Sequence, residues 1–218
     1  MIDILRKNPS YELELRIGIF ENEKFQSGIN YELFLEIYKD LMTCESIEKS
    51  EPWSEVMDVF FNLNREEYRT RVSYPNDTMK LTSETIIKKK KKQCHVKLED
   101  KYNFRVSISE EKVISNEKVP YIVNPTYVRL KHTKTFYITN ESNIKAWRID
   151  LSKTWGAATR TEVEEKQHGE TPTYEVECEL MNAEDYLRKK TDEETLKSIV
   201  TKGLSILGVP ECPYKTFY

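Results

Sequence analysis

Two short stretches of this chain set carboxylates two residues apart. "YELELRIGIF", residues 11–20, carries Glu12, Glu14 and Arg16 on alternate positions, and "TYEVECEL", residues 173–180, carries Glu175, Glu177 and Glu179 in the same way. Two is the side-chain period of a β-strand, so in each stretch the charges share one face and the apolar residues share the other. Carboxylates stacked this closely repel, and they cannot all stay ionised unless a cation offsets them. Hard divalent ions, Mg2+ or Mn2+, prefer such oxygen donors. Metal ligation is therefore the chemistry these glutamates could do.

Cations follow the same period between the two stretches. "EYRTRV" aligns Arg69 with Arg71. "NFRVSISEE" aligns Arg105, Ser107, Ser109 and Glu111. "YVRLKHTKTF" aligns Arg129, Lys131 and Thr133, and "WRIDLSK" aligns Arg148, Asp150 and Ser152. In the run Lys88–Lys92 only alternate lysines share a face, so either Lys88 and Lys90 or Lys89 and Lys91 would join this set. Arginine complements phosphate oxygens by bidentate hydrogen bonds, and lysine does so as a point charge. A divalent ion and such cations around a linear triphosphate is the arrangement that phosphoryl transfer requires, with a carboxylate to orient the attacking water.

These residues need strands to position them. Alternation marks strand candidates at 11–20, 56–63, 67–74, 84–92, 94–99, 102–110, 126–138, 143–154 and 173–181, with turn material between them at 73–77, 116–125, 139–143 and 166–172. The short gap between 126–138 and 143–154 predicts a hairpin. Apolar residues at helical spacing mark two helices, 30–43 with Asn30 as N-cap and 183–206. A spacing of about ten residues per strand suggests an antiparallel sheet or barrel.

The alternation itself leaves two readings open. The charged faces meet water around an apolar interior, or the polarity is reversed. In the second case the charges line a solvated tunnel, and the apolar faces pack outward against helices and loops. The segregation of charge favours the reversed barrel: carboxylates lie on the first and last strands and cations between, a separation that a solvated surface does not need. About eight strands close into a barrel that holds a small ligand and leaves no edges.

Composition bounds the rest. The chain has 218 residues, 38% apolar and 33% charged, with 34 basic and 37 acidic residues for a net charge of −3. That suits one domain over 1–218 with a sizeable core. No apolar run approaches the 18 residues of a membrane span. The cysteines Cys44, Cys94, Cys178 and Cys212 show no CxxC spacing, so reduced thiols and a cytoplasmic location are expected, with the nucleus open because of the lysine run. His95, His132 and His168 have no ligand spacing, and Trp53, Trp147 and Trp155 read as outward packing residues.

Taken together, the segments resemble the triphosphate tunnel metalloenzymes, and within them the metal-dependent RNA triphosphatases of fungal and large DNA virus mRNA capping systems. "ELELRIG" resembles their first metal strand and "YEVECEL" the last. The resemblance implies a closed, mainly β barrel with flanking helices and a charged interior. It implies Glu12, Glu14, Glu177 and Glu179 as metal ligands, with Glu175 in the same cluster. Arg129, Lys131, Arg148 and Asp150 carry over as catalytic residues, and Glu111 as partner of an arginine or of the water. Arg16, Arg69, Arg71, Lys88, Lys90, Arg105, Ser107 and Ser152 complete the phosphate-binding set. The implied reaction is removal of the γ-phosphate of 5′-triphosphate RNA, with free NTPs as side substrates and Mg2+ or Mn2+ as cofactor. A guanylyltransferase domain or subunit would follow, and this chain would be the N-terminal part of such an enzyme. Inorganic and thiamine triphosphatases of the same superfamily are the nearest alternative, and a non-catalytic triphosphate-end binding module is another. Two features depart from the family pattern: Thr133 stands where a third cation is common, and the first strand reads ExExR where the small-substrate branch has ExExK.

Overall fold

The computed structural model describes residues 1–44, 47–73, 82–98, 102–114, 124–139, 145–188 and 190–208. The alternating stretches form strands β1 (Glu12–Glu21), β2 (Lys24–Ser27), β3 (Ile47–Ser50), β4 (Ser54–Leu63), β5 (Glu66–Ser73), β6 (Thr82–Val96), β7 (Asn103–Ile114), β8 (Tyr127–Thr139), β9 (Lys145–Ala157) and β10 (Thr173–Leu180). The helices are α1 (Ile2–Lys7), α2 (Tyr31–Thr43), α3 (Arg160–Gly169), α4 (Ala183–Arg188) and α5 (Asp192–Ile206).

Eight strands close on themselves. Their order is β10-β9-β8-β4-β5-β6-β7-β1, every pair antiparallel, and β1 then pairs with β10. β2 extends the sheet from β1, and β3 adds to β8. Two tight turns help to set the register. Asn22 and Glu23 join β1 to β2, and Asn64 and Arg65 join β4 to β5, all four with positive φ. Two such residues in succession make the turn whose twist matches a hairpin.

The polarity is reversed, as the segregated charges predict. Leu13, Leu15, Ile17, Val106, Ile108, Ile149, Leu151, Val176 and Cys178 are buried on the outside of the barrel. They form one core with Phe34 and Ile37 of α2, Leu187 of α4, and Ile199, Val200 and Leu204 of α5. Burial of each such side chain contributes about 1.5–3 kcal/mol, so the helices are what make an outward apolar face stable. Gly203 permits the close approach of α5, because a Cβ there would lie 3.0 Å from both Leu15 and Phe104. A second cluster, Met57, Val128, Leu130 and Val163, lies under α3.

Several elements depart from the sequence expectation. The candidates 84–92 and 94–99 are one strand, β6, with a register shift between Lys90 and Lys92. That bulge absorbs the extra residue of the lysine run. The helix expected over 183–206 is two, because Thr191 caps a new start and Glu194 completes its capping box. α3 replaces part of the turn expected at 166–172. It begins at another capping box, Thr159 with Glu162, and it is so polar that its sequence carries almost no apolar period. α2 begins where Asn30 predicts, the Asn30 side chain accepting from the Leu33 amide. The hairpin β8–β9 forms as expected, although the turn expected at 139–143 lies almost wholly outside the described residues. Cys212 lies outside them as well.

Candidate functional site: the lumen of the barrel

Closure brings the two carboxylate stretches side by side. Glu14 sits opposite Glu179, and Arg16 opposite Glu177, across the β1–β10 seam. β9 continues the wall, with Asp150 opposite Glu177 and Arg148 opposite Glu179. On the other side of β1 stand Ser109 beside Glu12, Ser107 beside Glu14 and Arg105 beside Arg16. The facing wall is basic. β4 places Asp58 between Arg71 of β5 and Arg129 of β8, and β8 carries Lys131 one step further along.

The acidic wall is held by cations reaching across it. Arg16 bonds Glu14 and reaches Glu177 at 2.9 Å. Lys88 pairs with Glu12, lies 3.3 Å from Glu14 and lies 3.2 Å from Glu111. Arg148 lies 2.6 Å from Glu179 and 3.1 Å from Asp150. Lys131 lies 3.1 Å from Glu177 and 3.9 Å from Glu175. The cover is uneven. Burial works to raise Glu177, but Arg16 and Lys131 outweigh it and hold the carboxyl well below the usual range, and Arg16 lowers Glu14 in the same way. Burial raises Glu12 despite Lys88. Burial, with help from Glu12 and Asp150 and against Arg148, pushes Glu179 up to about 7. Burial thus outweighs the cation cover at the Glu12–Glu179 end of the wall.

On the basic wall the cations prevail. Fully buried Asp58 accepts a two-point fork from Arg71, at 2.7 and 3.1 Å, and a further bond from Arg129 at 2.7 Å. Burial would raise this carboxyl, but Arg71 and Arg129 more than offset it and hold it well below the ordinary range. Arg69, 3.4 Å from Glu111, is lowered by burial and by its neighbour Arg71. The Nε atoms of Arg69, Arg105 and Arg129 are buried with no hydrogen-bond partner among the described residues. Unmet donors of this kind are costly unless an anion takes them.

The lumen has two compartments. The larger, about 490 Å3, is lined by both walls. Among the described residues seven cations (Arg16, Arg69, Arg71, Lys88, Arg129, Lys131, Arg148) face seven carboxylates there (Glu12, Glu14, Glu84, Glu111, Asp150, Glu177, Glu179). The smaller, about 230 Å3, is lined by Arg16, Arg69, Lys88, Lys90 and Arg105 against Glu14 and Glu67 alone, with Ser107, Ser109, Phe60 and Tyr68.

Among the described residues no three acidic groups converge as a ready metal cage, because Lys88, Arg16 and Arg148 take their oxygens. The donor set nevertheless fits a hard divalent ion: carboxylate oxygens stacked across the adjacent strands β1 and β10. Glu12, Glu14, Glu177 and Glu179, side by side across the β1–β10 seam, are the residues that would hold it.

Most of the expected site residues thus share one lumen, in which Lys88 and Lys90 are the inward pair of the lysine run. Lys89 and Lys91 face out and pair with Glu66 at 2.5 Å and Glu110 at 2.7 Å. Two expected residues sit apart from both compartments. The Ser152 hydroxyl is spent on Thr133 at 2.9 Å, and Glu175 is buried against Thr154 and Lys131. Thr133, where the family commonly has a cation, lines the larger compartment as a hydroxyl. Sequence reasoning missed Asp58, the anchor of two arginines. Its signal was a single charge interrupting the apolar run "VMDVFF".

No family model matches the chain, and no curated protein matches it. Solved structures do. The RNA triphosphatase Pct1 of S. pombe superposes with a TM-score of 0.64 at 17% identity, covering 90% of this chain and 84% of that one. The Mimivirus capping enzyme triphosphatase superposes at 0.59 with 15% identity, covering 95% and 93%. A chain of the S. pombe Mediator head module also aligns, at 0.54 and 10% identity over 90% and 94%. The chain therefore has the closed tunnel fold of the capping-type RNA triphosphatases, as the resemblance of its strands implied.

Proposed function

We propose that this protein is a divalent-metal-dependent RNA 5′-triphosphatase of the mRNA capping type. The fold does not select that activity alone, since it also occurs in a chain of the Mediator head module. The observation that carries the reading is the lumen, where the carboxylates stacked across β1 and β10 face an arginine pair on β5 and β8 that buried Asp58 of β4 anchors.

The mechanism follows from what each wall attracts. Glu12, Glu14, Glu177 and Glu179 would hold the ion, Mg2+ or Mn2+, which when bound supplies positive charge at the γ-phosphate. Lys88 and Arg16, which stand beside those carboxylates in the lumen, would meet phosphate oxygens. Arg71 and Arg129 are already oriented by Asp58, so they spend little ordering entropy on the phosphate chain and stabilise charge as it develops. Lys131 and Arg148 do the same from β8 and β9. Glu111, beside Lys88 and Arg69, is placed to accept a hydrogen bond from the attacking water. Water adds to the γ-phosphorus, the bond to the β-phosphate oxygen breaks, and a 5′-diphosphate end leaves with inorganic phosphate.

That product end is a substrate for guanylyl transfer, so a guanylyltransferase, on this polypeptide or another, is the proposed partner. The cytoplasm is the proposed location, with the nucleus as the alternative. Phosphate release from γ-labelled 5′-triphosphate RNA, with and without Mg2+ or Mn2+, tests the reading. Metal-dependent release is expected. Tight binding of the RNA with no release would make the chain an end-binding module instead. Release from inorganic tripolyphosphate or thiamine triphosphate that RNA does not compete for would place it with the small-substrate hydrolases.

A further inference from the structure

We propose that the smaller compartment is the nucleoside end of the tunnel. It takes the first base and ribose of the 5′-triphosphate RNA, and the RNA chain leaves by that mouth and not by the wide one. This rests on the triphosphatase reading above.

Charge is the first reason. In the larger compartment cations and carboxylates balance, so that end becomes attractive to phosphate only where a divalent ion tips it. In the smaller one five cations face two carboxylates among the described residues, so it attracts a polyanion unaided. The γ-phosphate is the group that needs the ion, and the rest of the RNA backbone is the part that does not. The two compartments share Glu14, Arg16, Arg69 and Lys88, so a phosphate chain seated in the larger continues into the smaller.

Stacking surface is the second reason. Phe60, on the same face of β4 as Asp58, lines the smaller compartment. Its ring packs with Tyr127 at 5.8 Å. Across from Phe60, Arg105 lies 4.9 Å over the Phe25 ring, which in turn stacks on His95 at 5.6 Å. Gly18 makes that wall, because a Cβ there would collide with the Phe25 ring and the Gln26 carbonyl. Bases stack on aromatic rings and guanidinium planes whatever their identity, which suits an enzyme that must accept any transcript end. By contrast, Tyr11 is the one aromatic residue among those described in the larger compartment. The volume of about 230 Å3 is below the ~300–1,000 Å3 of drug-sized sites. It therefore suits one nucleoside, with the rest of the chain outside.

The test compares two substrates on three variants of the whole chain: Phe60→Leu and Phe25→Ala at the small mouth, and Tyr11→Ala at the wide one. Phe25 lies on β2, outside the closed ring of eight strands, so its loss leaves that ring intact. KM is measured for a short 5′-triphosphate RNA and for inorganic tripolyphosphate, which has no nucleoside. The expected result is a rise in KM for RNA of roughly tenfold in the two small-mouth variants, the scale of one lost stack. Tripolyphosphate should be unaffected in both, and Tyr11→Ala should shift the two substrates alike. A rise for RNA only in Tyr11→Ala would reverse the polarity of the tunnel and overturn the proposal. So would equal losses on both substrates in the small-mouth variants, or none on either. If the wild-type protein hydrolysed tripolyphosphate but not RNA, the RNA reading itself would fail, and this inference with it.

Discussion

The two walls of the lumen solve opposite electrostatic problems. On the β1–β10 wall burial outweighs the cation cover at Glu12 and Glu179, and Glu179 is pushed up to about 7 by burial and its neighbours. On the β4–β5–β8 wall one buried carboxylate, Asp58, is shared by two arginines and held far below its usual range. The first wall is short of a cation and the second is short of an anion. A metal–triphosphate complex supplies both, and the tunnel without it spends its lysines and arginines on its own glutamates.

The largest effect should come from breaking the acidic wall. Glu12→Gln, Glu14→Gln, Glu177→Gln and Glu179→Gln each keep the shape and remove a charge. Each should cost at least about 10²-fold in metal-dependent phosphate release, the scale of one essential electrostatic contact. Retention of most activity in the Glu179→Gln variant, with the fold intact, would sink the metal assignment.

Breaking the basic wall at its anchor comes next. Asp58→Asn leaves the partly buried Arg71 and Arg129 without their counter-charge; removing one partner of a fully buried pair typically costs about 3–5 kcal/mol, and solvent reaching Arg71 makes the cost here smaller. Thermal unfolding should show that loss, and excess tripolyphosphate should restore part of it, because the substrate supplies the missing anion. Equal destabilisation with and without the anion would mean that Asp58 serves packing alone.

A finer division separates cations within the walls. Among Arg105→Ala, Arg129→Ala, Lys131→Ala and Arg148→Ala, those meeting the γ-phosphate should lose mainly kcat and those meeting inner phosphates should gain mainly KM. Arg148 is expected in the kcat group, held as it is by Asp150 and Glu179, and Arg105 in the KM group, since it lines only the smaller compartment. Arg129→Lys should rescue poorly, because one ammonium cannot hold Asp58 and a phosphate in the same geometry. Four variants with unaltered steady-state constants would remove these strands from the substrate site.

The smallest effect should be on the outer face. Lys88→Ala removes a lumen cation, but Lys89→Ala, one residue along, removes only a solvent-exposed partner of Glu66. The first should impair turnover and the second should not. A matched loss in both would show that the inward assignment of β6 is out of register.

Much of this is legible in the sequence, because strand alternation has a period of two whatever the fold around it. The period alone sets which residues share a face, so Glu12 groups with Glu14, Arg129 with Lys131 and Arg148 with Asp150. The capping residue of α2 is readable because its action is just as local: Asn30 acts on an amide three residues away. Only the tertiary structure decides which face is inside, because alternation is symmetric and the covering helices lie far along the chain. Closure through β1 and β10 puts Glu14 against Glu179, a pairing between distant residues that no local pattern specifies. Asp58 becomes an anchor only when β4 is inserted between β5 and β8, and one charge in an apolar run says nothing of the two arginines that reach it from neighbouring strands. The bulge in β6 likewise arises only on pairing with β7, because an extra residue is extra only relative to a partner.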